Sequence, residues 1–223
     1  KLNDSLNSLR RLEDMALTII HSYMTDESMM GFKLNKLVSL RKICLSFGGW
    51  IDLTDSGIDF MTQALKKLSN LQTIQLKFQN CDMFKDLGLH YIWKMIKSFP
   101  GLSEISLKFL DFPEITDAGL YDMKKTLKCL DSVQKIRFEF YEYECSESKI
   151  TDSGVASLCQ TLKRFVNLQS LYVSFRGLQR ITDLGAKEMI DCMSALTNLQ
   201  HIGINLQKCK KMTNTSLNYI KQY

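Results

Sequence analysis

Proline occurs only twice in these 223 residues and glycine eleven times, so no stretch reads as a linker or a low-complexity tail. No apolar run approaches the ~18 residues that a membrane span requires, and no span is expected. Histidine is found only at His21, His90 and His201, with no histidine pair and no Cys-x-x-Cys. The usual zinc spacings are therefore missing, and no metal is expected. A Gly-rich phosphate loop and a G-x-S-x-G nucleophile elbow are missing too. The chain reads as a non-enzyme, with no cofactor and no small-molecule substrate. Nor is there a large excess of one charge. Lys+Arg 29 against Asp+Glu 24 leaves +5, too mild by itself to argue for nucleic acid.

The seven cysteines are an odd number, and Cys81 and Cys209 hold the same position in different repeats. They read as core fillers rather than a disulfide framework, which predicts a reducing compartment, the cytoplasm. Lys1-Leu2-Asn3-Asp4 leads straight into an amphipathic pattern, so no signal peptide is expected.

What the sequence does contain is a repeat. The pattern L-x-x-[LIM]-x-[LIVF]-x-[FIL] starts at Leu12, Leu40, Leu71, Leu102, Val133 (valine for leucine), Leu168 and Leu199, in steps of 28, 31, 31, 31, 35 and 31. Seventeen residues before most copies stands a Thr-Asp-x-Gly start, at Thr54, Thr116, Thr151 and Thr182, with Lys85-Asp86-Leu87-Gly88 as a degenerate copy. A fixed period of this size predicts a solenoid in which each repeat touches only its neighbours. One array over 1–223 is expected, of about seven strand–helix repeats with partial repeats at both ends.

Each unit divides into a strand and a helix. In the copy at Leu71, the residues Ile74, Leu76 and Phe78 alternate inward while Thr73, Gln75 and Lys77 point to solvent. One apolar residue then precedes the helix: Leu53, Phe84, Ile115, Ile150, Ile181 or Met212. Thr116 is a predicted N-cap, and Asp117 places negative charge at the positive end of the helix dipole. Leu120, Met123, Leu127 and Leu130 follow as an apolar stripe. Glycine at the third position after the cap (Gly57, Gly88, Gly119, Gly154, Gly185) costs helix propensity, and close approach of neighbouring backbones is its expected reason.

The L-x-x-L-x-L core and the I-T-D-x-G-L helix start resemble leucine-rich repeats of the ribonuclease-inhibitor-like type, and most of all the I-T-D-x-G arrays common in protist proteins. The resemblance covers essentially the whole chain. It implies an α/β solenoid: a curved right-handed βα superhelix with a parallel sheet on the concave face and helices on the convex face. It says almost nothing of function. One column departs from the family, which carries Asn or Cys eight residues after the repeat start. Here the column reads Ile20, Gly48, Gln79, Leu110, Tyr141, Arg176 and Gln207, so the loop is expected to be held by packing instead. Leu2, Leu6 and Leu9 match the stripe of a preceding helix, and Tyr223 falls inside the helix that begins near Thr213. Neither end resembles a polar cap, and a longer array, or a second chain covering the ends, is expected.

The family binds through its concave face. There Lys77, Lys108, Lys135, Arg137 and Arg176 are expected to form a basic band with Tyr141 and Tyr172 beside it, interrupted by Glu104 and Glu139. Arg and Tyr are frequent interface hot spots. The plain alternative is a solvated polar face with no partner. The 35-residue step adds four residues within 140–148, an acidic and aromatic bulge on one rim. Cys44, on the concave face, is expected to be inert.

Three functional readings follow. The first is a non-catalytic protein–protein interaction module or scaffold, part of a larger protein or assembly. The second is a substrate-recognition part of a ubiquitin-ligase-like complex, since similar repeats often follow an F-box, of which none is visible here. The third is RNA or RNP binding through the basic band, which would want more charge and denser aromatics. A GTPase-activating role would need a loop arginine, and nothing singles out Arg176 or Arg180.

Overall fold

A computed structural model describes residues 8–20, 25–34, 36–49, 53–127, 130–143 and 148–221. Leu2, Leu6, His21, Cys129, Cys145 and Tyr223 lie outside the described residues. Seven strands alternate with seven helices in chain order: β1 (Asp14–Ile20), α1 (Asp26–Met30), β2 (Lys42–Gly48), α2 (Asp55–Leu65), β3 (Thr73–Gln79), α3 (Asp86–Ile96), β4 (Glu104–Leu110), α4 (Asp117–Thr126), β5 (Lys135–Tyr141), α5 (Asp152–Leu162), β6 (Ser170–Ser174), α6 (Asp183–Ser194), β7 (His201–Asn205) and α7 (Asn214–Lys221).

The strands form one parallel sheet in the order β1 to β7. Register follows the repeat residue for residue, as in Leu45↔Leu76, Leu76↔Leu107 and Leu107↔Phe138, so equal offsets stand in columns across the sheet. Odd offsets point inward, and Ile74, Leu76, Phe78, Ile105, Leu107 and Phe109 are all buried. They join Leu120, Met123, Leu158 and Met189 of the helices in one continuous core. Successive helices pack side by side on that face. The other face of the sheet is left open, with even offsets on it.

Helices end earlier than the apolar stripe implies. α4 stops at Thr126, and Leu127 is already extended (φ −86°, ψ 99°), yet Leu127 and Leu130 remain buried. The chain has to turn there to begin the next strand, so the last stripe residues pack from the turn.

The threonines cap as the pattern predicts. Thr54, Thr116, Thr151 and Thr182 each accept the backbone N–H two residues on, at 3.1–3.2 Å. The aspartates do more than meet a dipole, because each reaches forward to the next repeat. Asp86 Oδ1 accepts from Thr116 N at 2.8 Å, and its Oδ2 accepts from Thr116 Oγ1 at 2.6 Å. Asp26–Thr54, Asp117–Thr151, Asp152–Thr182 and Asp183–Thr213 repeat the pair. Thus each cap hydroxyl donates backward and accepts forward. Where lysine replaces threonine, Asp55 still accepts from Lys85 N and from Gly88 N, both at 2.8 Å. The ladder therefore recognises backbone.

This ladder corrects the expected role of the glycines. A Cβ on Gly57, Gly88, Gly119, Gly154 or Gly185 would run into the preceding repeat's Asp carboxylate, not into a neighbouring backbone. In the last repeat the position is Ser216, whose hydroxyl donates to Asp183 Oδ1 instead. These bonds from Ser216 and Thr213 hold the Asp183 carboxyl below its usual value.

The loop after each strand also differs from expectation, because packing is only half of what holds it. The inward column seven residues after the repeat start is a stack of phenylalanines. Phe47, Phe78, Phe109, Phe140 and Phe175 follow one another with ring centroids 5.3–5.9 Å apart. Beyond it the backbone keeps pairing. Gly49 N, Asn80 N, Asp111 N and Gly177 N donate to the next repeat's Gln79, Leu110, Tyr141 and Gln207 carbonyls at 2.7–3.0 Å. These four donors adopt positive φ. An asparagine ladder does exist, but before the strand. Asn70, Asn167 and Asn198 donate to the carbonyls of Val38, Asp131 and Val166 one repeat back, at 2.7–2.8 Å. The triplet Asn-Leu-Gln at 70–72, 167–169 and 198–200 was the sequence signal for it.

Candidate functional site

The even offsets set the chemistry of the open face. Four residues after the start of each repeat the column runs Ala16, Cys44, Gln75, Ser106, Arg137, Tyr172 and Gly203, and six residues after it Thr18, Ser46, Lys77, Lys108, Glu139, Ser174 and Asn205. Small side chains over β1–β4 leave a shallow trough, bounded by Lys77 and Lys108. Over β5 and β6 the face rises into a ridge of large side chains.

That ridge is ordered by charge. Glu139 Oε1 accepts from Arg137 Nε at 2.5 Å and from Lys108 Nζ at 3.0 Å, so one carboxylate oxygen gathers two cations. Arg137 is thereby held with its guanidinium 4.0 Å from the centre of the Tyr172 ring, its register partner on β6. Four residues along, the order reverses. Arg176, just past β6, lies 5.1 Å from the Tyr141 ring of β5, and Tyr143 packs edge-on against Tyr141 at 5.0 Å. The Arg176 Nε is buried and has no hydrogen-bond partner among the described residues. Two Arg–Tyr stacks of opposite sense therefore cross one strand pair. Each is worth about 0.5–1 kcal/mol at an exposed site, so together they fix side-chain positions more than they stabilise the fold.

All seven sequence-predicted residues lie on the open face, but they do not form a plain basic band. Lys108 and Arg137 come together on Glu139, with Tyr172 under Arg137, and Tyr141 and Arg176 form the second stack four residues along. Lys77 stands beside Lys108 in the same column, and Lys135 lies two residues before Arg137, facing Glu104. Glu104 is engaged by Gln75 Nε2 at 3.0 Å, and neither Lys77 nor Lys135 forms an ion pair among the described residues. Glu139 does not merely interrupt the band, because it pins two of its members in place. Glu139 and Tyr143 belong to the arrangement and are not among the seven sequence-predicted residues. Glu139 was legible as the same-face neighbour of Arg137, two residues on in one strand.

Partial burial pushes the Glu139 carboxyl up, but hydrogen bonds from Arg137 and Lys108 outweigh it, and the net direction is down from 4.5. A depressed pKa means that the folded state holds its proton less tightly than the unfolded one. The resulting stabilisation is present above the ordinary value of 4.5 and is lost as pH falls through the lower folded value. Urea denaturation near neutral pH and well below 4.5 should therefore show a pH-dependent loss that is smaller in Glu139→Gln. An identical loss in both proteins would refute the pinning role.

The other candidates are accounted for by structure. Burial pushes the Cys44 thiol up, the opposite of an activated thiolate, and its Sγ donates to Gln75 Oε1 at 3.3 Å. Cys81 and Cys209 are buried as expected, and burial pushes the Cys209 thiol up to about 11. His90 of α3 pairs with Asp122 of α4 at 2.6 Å on the helix layer, far in the fold from exposed His201 on β7. The rim bulge begins packed down. Glu142 is buried, its N–H donates to the Arg176 carbonyl at 3.1 Å, and Gly177 (φ +85°) lets that carbonyl strand end approach the Glu142 backbone. Residues 144–147 of the bulge lie outside the described residues. Arg176 is committed to Tyr141, while Arg180 is exposed. Among the described residues no cluster of His, Cys, Asp and Glu could hold a metal ion, and no helix is long and apolar enough to cross a membrane.

No family model matches the chain, and no curated protein matches it. Among solved structures it is similar to the crystal structure of a TLR13–ssRNA13 complex, at 11% identity and a TM-score of 0.38, over 91% of this chain and 37% of that one. The chain thus spans little more than a third of that neighbour's length, and so distant a likeness transfers no function. The in-register parallel sheet, the alternating helices and the leucine period stand on their own, and they make the fold an α/β solenoid of leucine-rich-repeat type.

Proposed function

We propose that the chain is a non-catalytic interaction module that docks another protein on the open face of its sheet, over β3–β6. The observation that supports it is the Arg137–Tyr172 stack, pinned by Glu139 at the centre of that face. Ordering a long side chain on binding costs about 0.5–1.5 kcal/mol, and here that cost is met before a partner arrives. The terminal nitrogens of Arg137 make no hydrogen bond among the described residues, so they can receive a partner's carboxylate while Tyr172, Tyr141 and Tyr143 offer apolar surface. Lys77 and Lys108 flank the trough, where small side chains admit a partner's bulkier ones. The chemistry fits an acidic protein segment with apolar anchors. RNA is the weaker reading, because the guanidinium groups already cover one face of Tyr141 and Tyr172, and Glu139 neutralises part of the charge.

The test is purification from the native source with bound partners, comparing wild type, the triple variant Lys108→Glu/Arg137→Glu/Tyr172→Ala, and Lys94→Glu on the helix layer. The expected result is a partner retained by wild type and Lys94→Glu. The triple variant should bind it at least ~100-fold more weakly, since hot-spot residues contribute about 2 kcal/mol or more each. Its thermal midpoint should fall, because Glu139 loses both cations paired with it, but it should remain folded at the temperature of the assay. Undiminished binding by a folded triple variant would sink the proposal. Binding of a single-stranded RNA that falls steeply with salt would replace the protein partner by RNA.

A further inference from the structure

Eight residues after its cap, a helix can place a side chain against the helix that follows. In α3 that residue is Trp93, fully buried, whose Nε1 donates to Gly119 O of α4 at 3.1 Å. In α5 it is Cys159, whose Sγ donates to Met189 Sδ of α6 at 3.4 Å. Cys192 stands three residues after Met189 and so on the same face of α6. Its Sγ donates to the Cys159 carbonyl at 3.5 Å, and the two thiols also interact directly. Three sulfurs from two helices therefore meet at the α5–α6 seam. At the other junctions the same three offsets hold at most one sulfur, as in Trp93, Met123 and Thr126 between α3 and α4.

The cluster is sealed and its thiols are free. Cys159 is 1% exposed, Met189 and Cys192 are fully buried, and neither cysteine is in a disulfide. Thiolate and thioether are soft donors, and together they select Cu(I). Zinc draws its ligands from thiolate, imidazole and carboxylate, and a thioether does not replace one of these. Sulfurs bound to a metal at about 2.3 Å stand about 4 Å apart in a trigonal plane. The Cys159–Met189 separation of 3.4 Å is within reach of that by small rotamer shifts.

We propose that Cys159, Cys192 and Met189 form a trigonal site for Cu(I) between α5 and α6. Binding breaks two S–H bonds and forms two copper–thiolate bonds. Both protons leave to solvent, Met189 gives a sulfur lone pair, and no electron changes hands. A hydrogen bond from the Cys159 thiol pulls the Cys192 thiol down and holds Cys159 up, so Cys192 is the first to ionise. The filled site carries one negative charge. Lys163 acts on both thiols in the sense that favours thiolate, and Glu188 acts against it. Copper enters by local opening of the seam and then holds the two helices together. The site lies on the helix layer and does not depend on the open face of the sheet.

The probe is Cu(I) itself, added without oxygen and with bicinchoninate as competing chelator. Wild type is expected to retain one more equivalent than Cys159→Ser/Cys192→Ser. At one equivalent, X-ray absorption should show copper bound by sulfur alone. The thermal midpoint of wild type should rise with Cu(I), and the rise should be lost in the double variant. Met189→Leu conserves apolar volume and should fold as wild type does, yet hold Cu(I) at least about tenfold more weakly. It decides the matter should the double variant fail to fold. Copper held undiminished by either folded variant would overturn the proposal, and so would no uptake by wild type against the chelator. A Cys159–Cys192 disulfide in protein purified without reductant, with no Cu(I) uptake after reduction, would also overturn it by assigning the thiols to a redox pair.

Discussion

Phe109→Ala should remove about 3–5 kcal/mol of stability, as truncation of a buried aromatic generally does. Phe109 is 1% exposed and sits at the middle of the phenylalanine stack. Its ring lies 5.9 Å from Phe78 at 9° and 5.3 Å from Phe140 at 16°, with Phe112 edge-on at 5.5 Å. Phe84 closes a further side at 5.8 Å. Alanine would lose those contacts and leave a cavity that ring neighbours on two strands cannot fill without breaking their own stacks. The stack also supports the loop above it, where Asn80 N and Asp111 N pair with the next repeat. Single-domain stabilities are about 5–15 kcal/mol, so one truncation should bring the chain close to unfolding at room temperature. Urea denaturation followed by circular dichroism measures it. Phe109→Leu, which conserves apolar character and most of the volume, should lose under about 1.5 kcal/mol. A loss below about 1 kcal/mol in the alanine variant would show that the stack is an accident of the repeat and not its support.

The spacing of Leu71, Leu102 and Val133 made strand register legible, because a period that recurs at 31 residues leaves only one in-register way to align the strands. The apolar character of the seventh column was legible too, since Phe47, Phe78, Phe109, Phe140 and Phe175 recur in the sequence. Their stacking was not, because it depends on the spacing of parallel strands, which puts like rings within about 5–6 Å. In sequence, Thr-Asp-x-Gly reads as a cap within its own helix. The threonine obeys that reading, and the aspartate obeys it in part: it stands in the first turn of its own helix, and its carboxylate is also long enough to reach the next repeat's cap. A periodic motif shows what each unit contains but not which unit a side chain serves.

The open face follows the same logic. Which residues lie on it was decided by alternation alone. How they combine was not, since in sequence Glu139 is a break in a run of positive charge. In place, it lies between cations on two strands and holds Arg137 over Tyr172. The distinction bears on affinity. A continuous basic band would attract partners mainly through screened, long-range charge, whereas a pinned Arg–Tyr ridge presents a fixed shape. Salt should therefore weaken partner binding less than a count of lysines and arginines suggests.

The aspartate ladder allows the sharpest test, because it predicts a reversal of sign. Gly119→Ala in the wild-type background should destabilise by about 1 kcal/mol or more, the cost of leaving partly buried polar groups without partners. The new Cβ would displace the Asp86 carboxylate, which accepts from Thr116 N at 2.8 Å and from Thr116 Oγ1 at 2.6 Å. Asp86→Ala alone should cost a similar amount by removing the same two bonds. Once Asp86 is alanine, however, the carboxylate nearest the Cβ is gone, and of its three nearest atoms the one left is on the flexible Leu89 side chain. Alanine is better than glycine inside a helix by about 1 kcal/mol. Gly119→Ala should then be neutral or stabilising in the Asp86→Ala background, so the double variant is no less stable than Asp86→Ala alone. Urea denaturation of the four proteins gives the coupling directly. Additive losses would mean that Gly119 and Asp86 act separately and that the glycine column has some other cause. A reversed sign would show that each glycine is there to admit the carboxylate of the repeat before it, and that adjacent repeats are joined at their helix starts as firmly as at their strands.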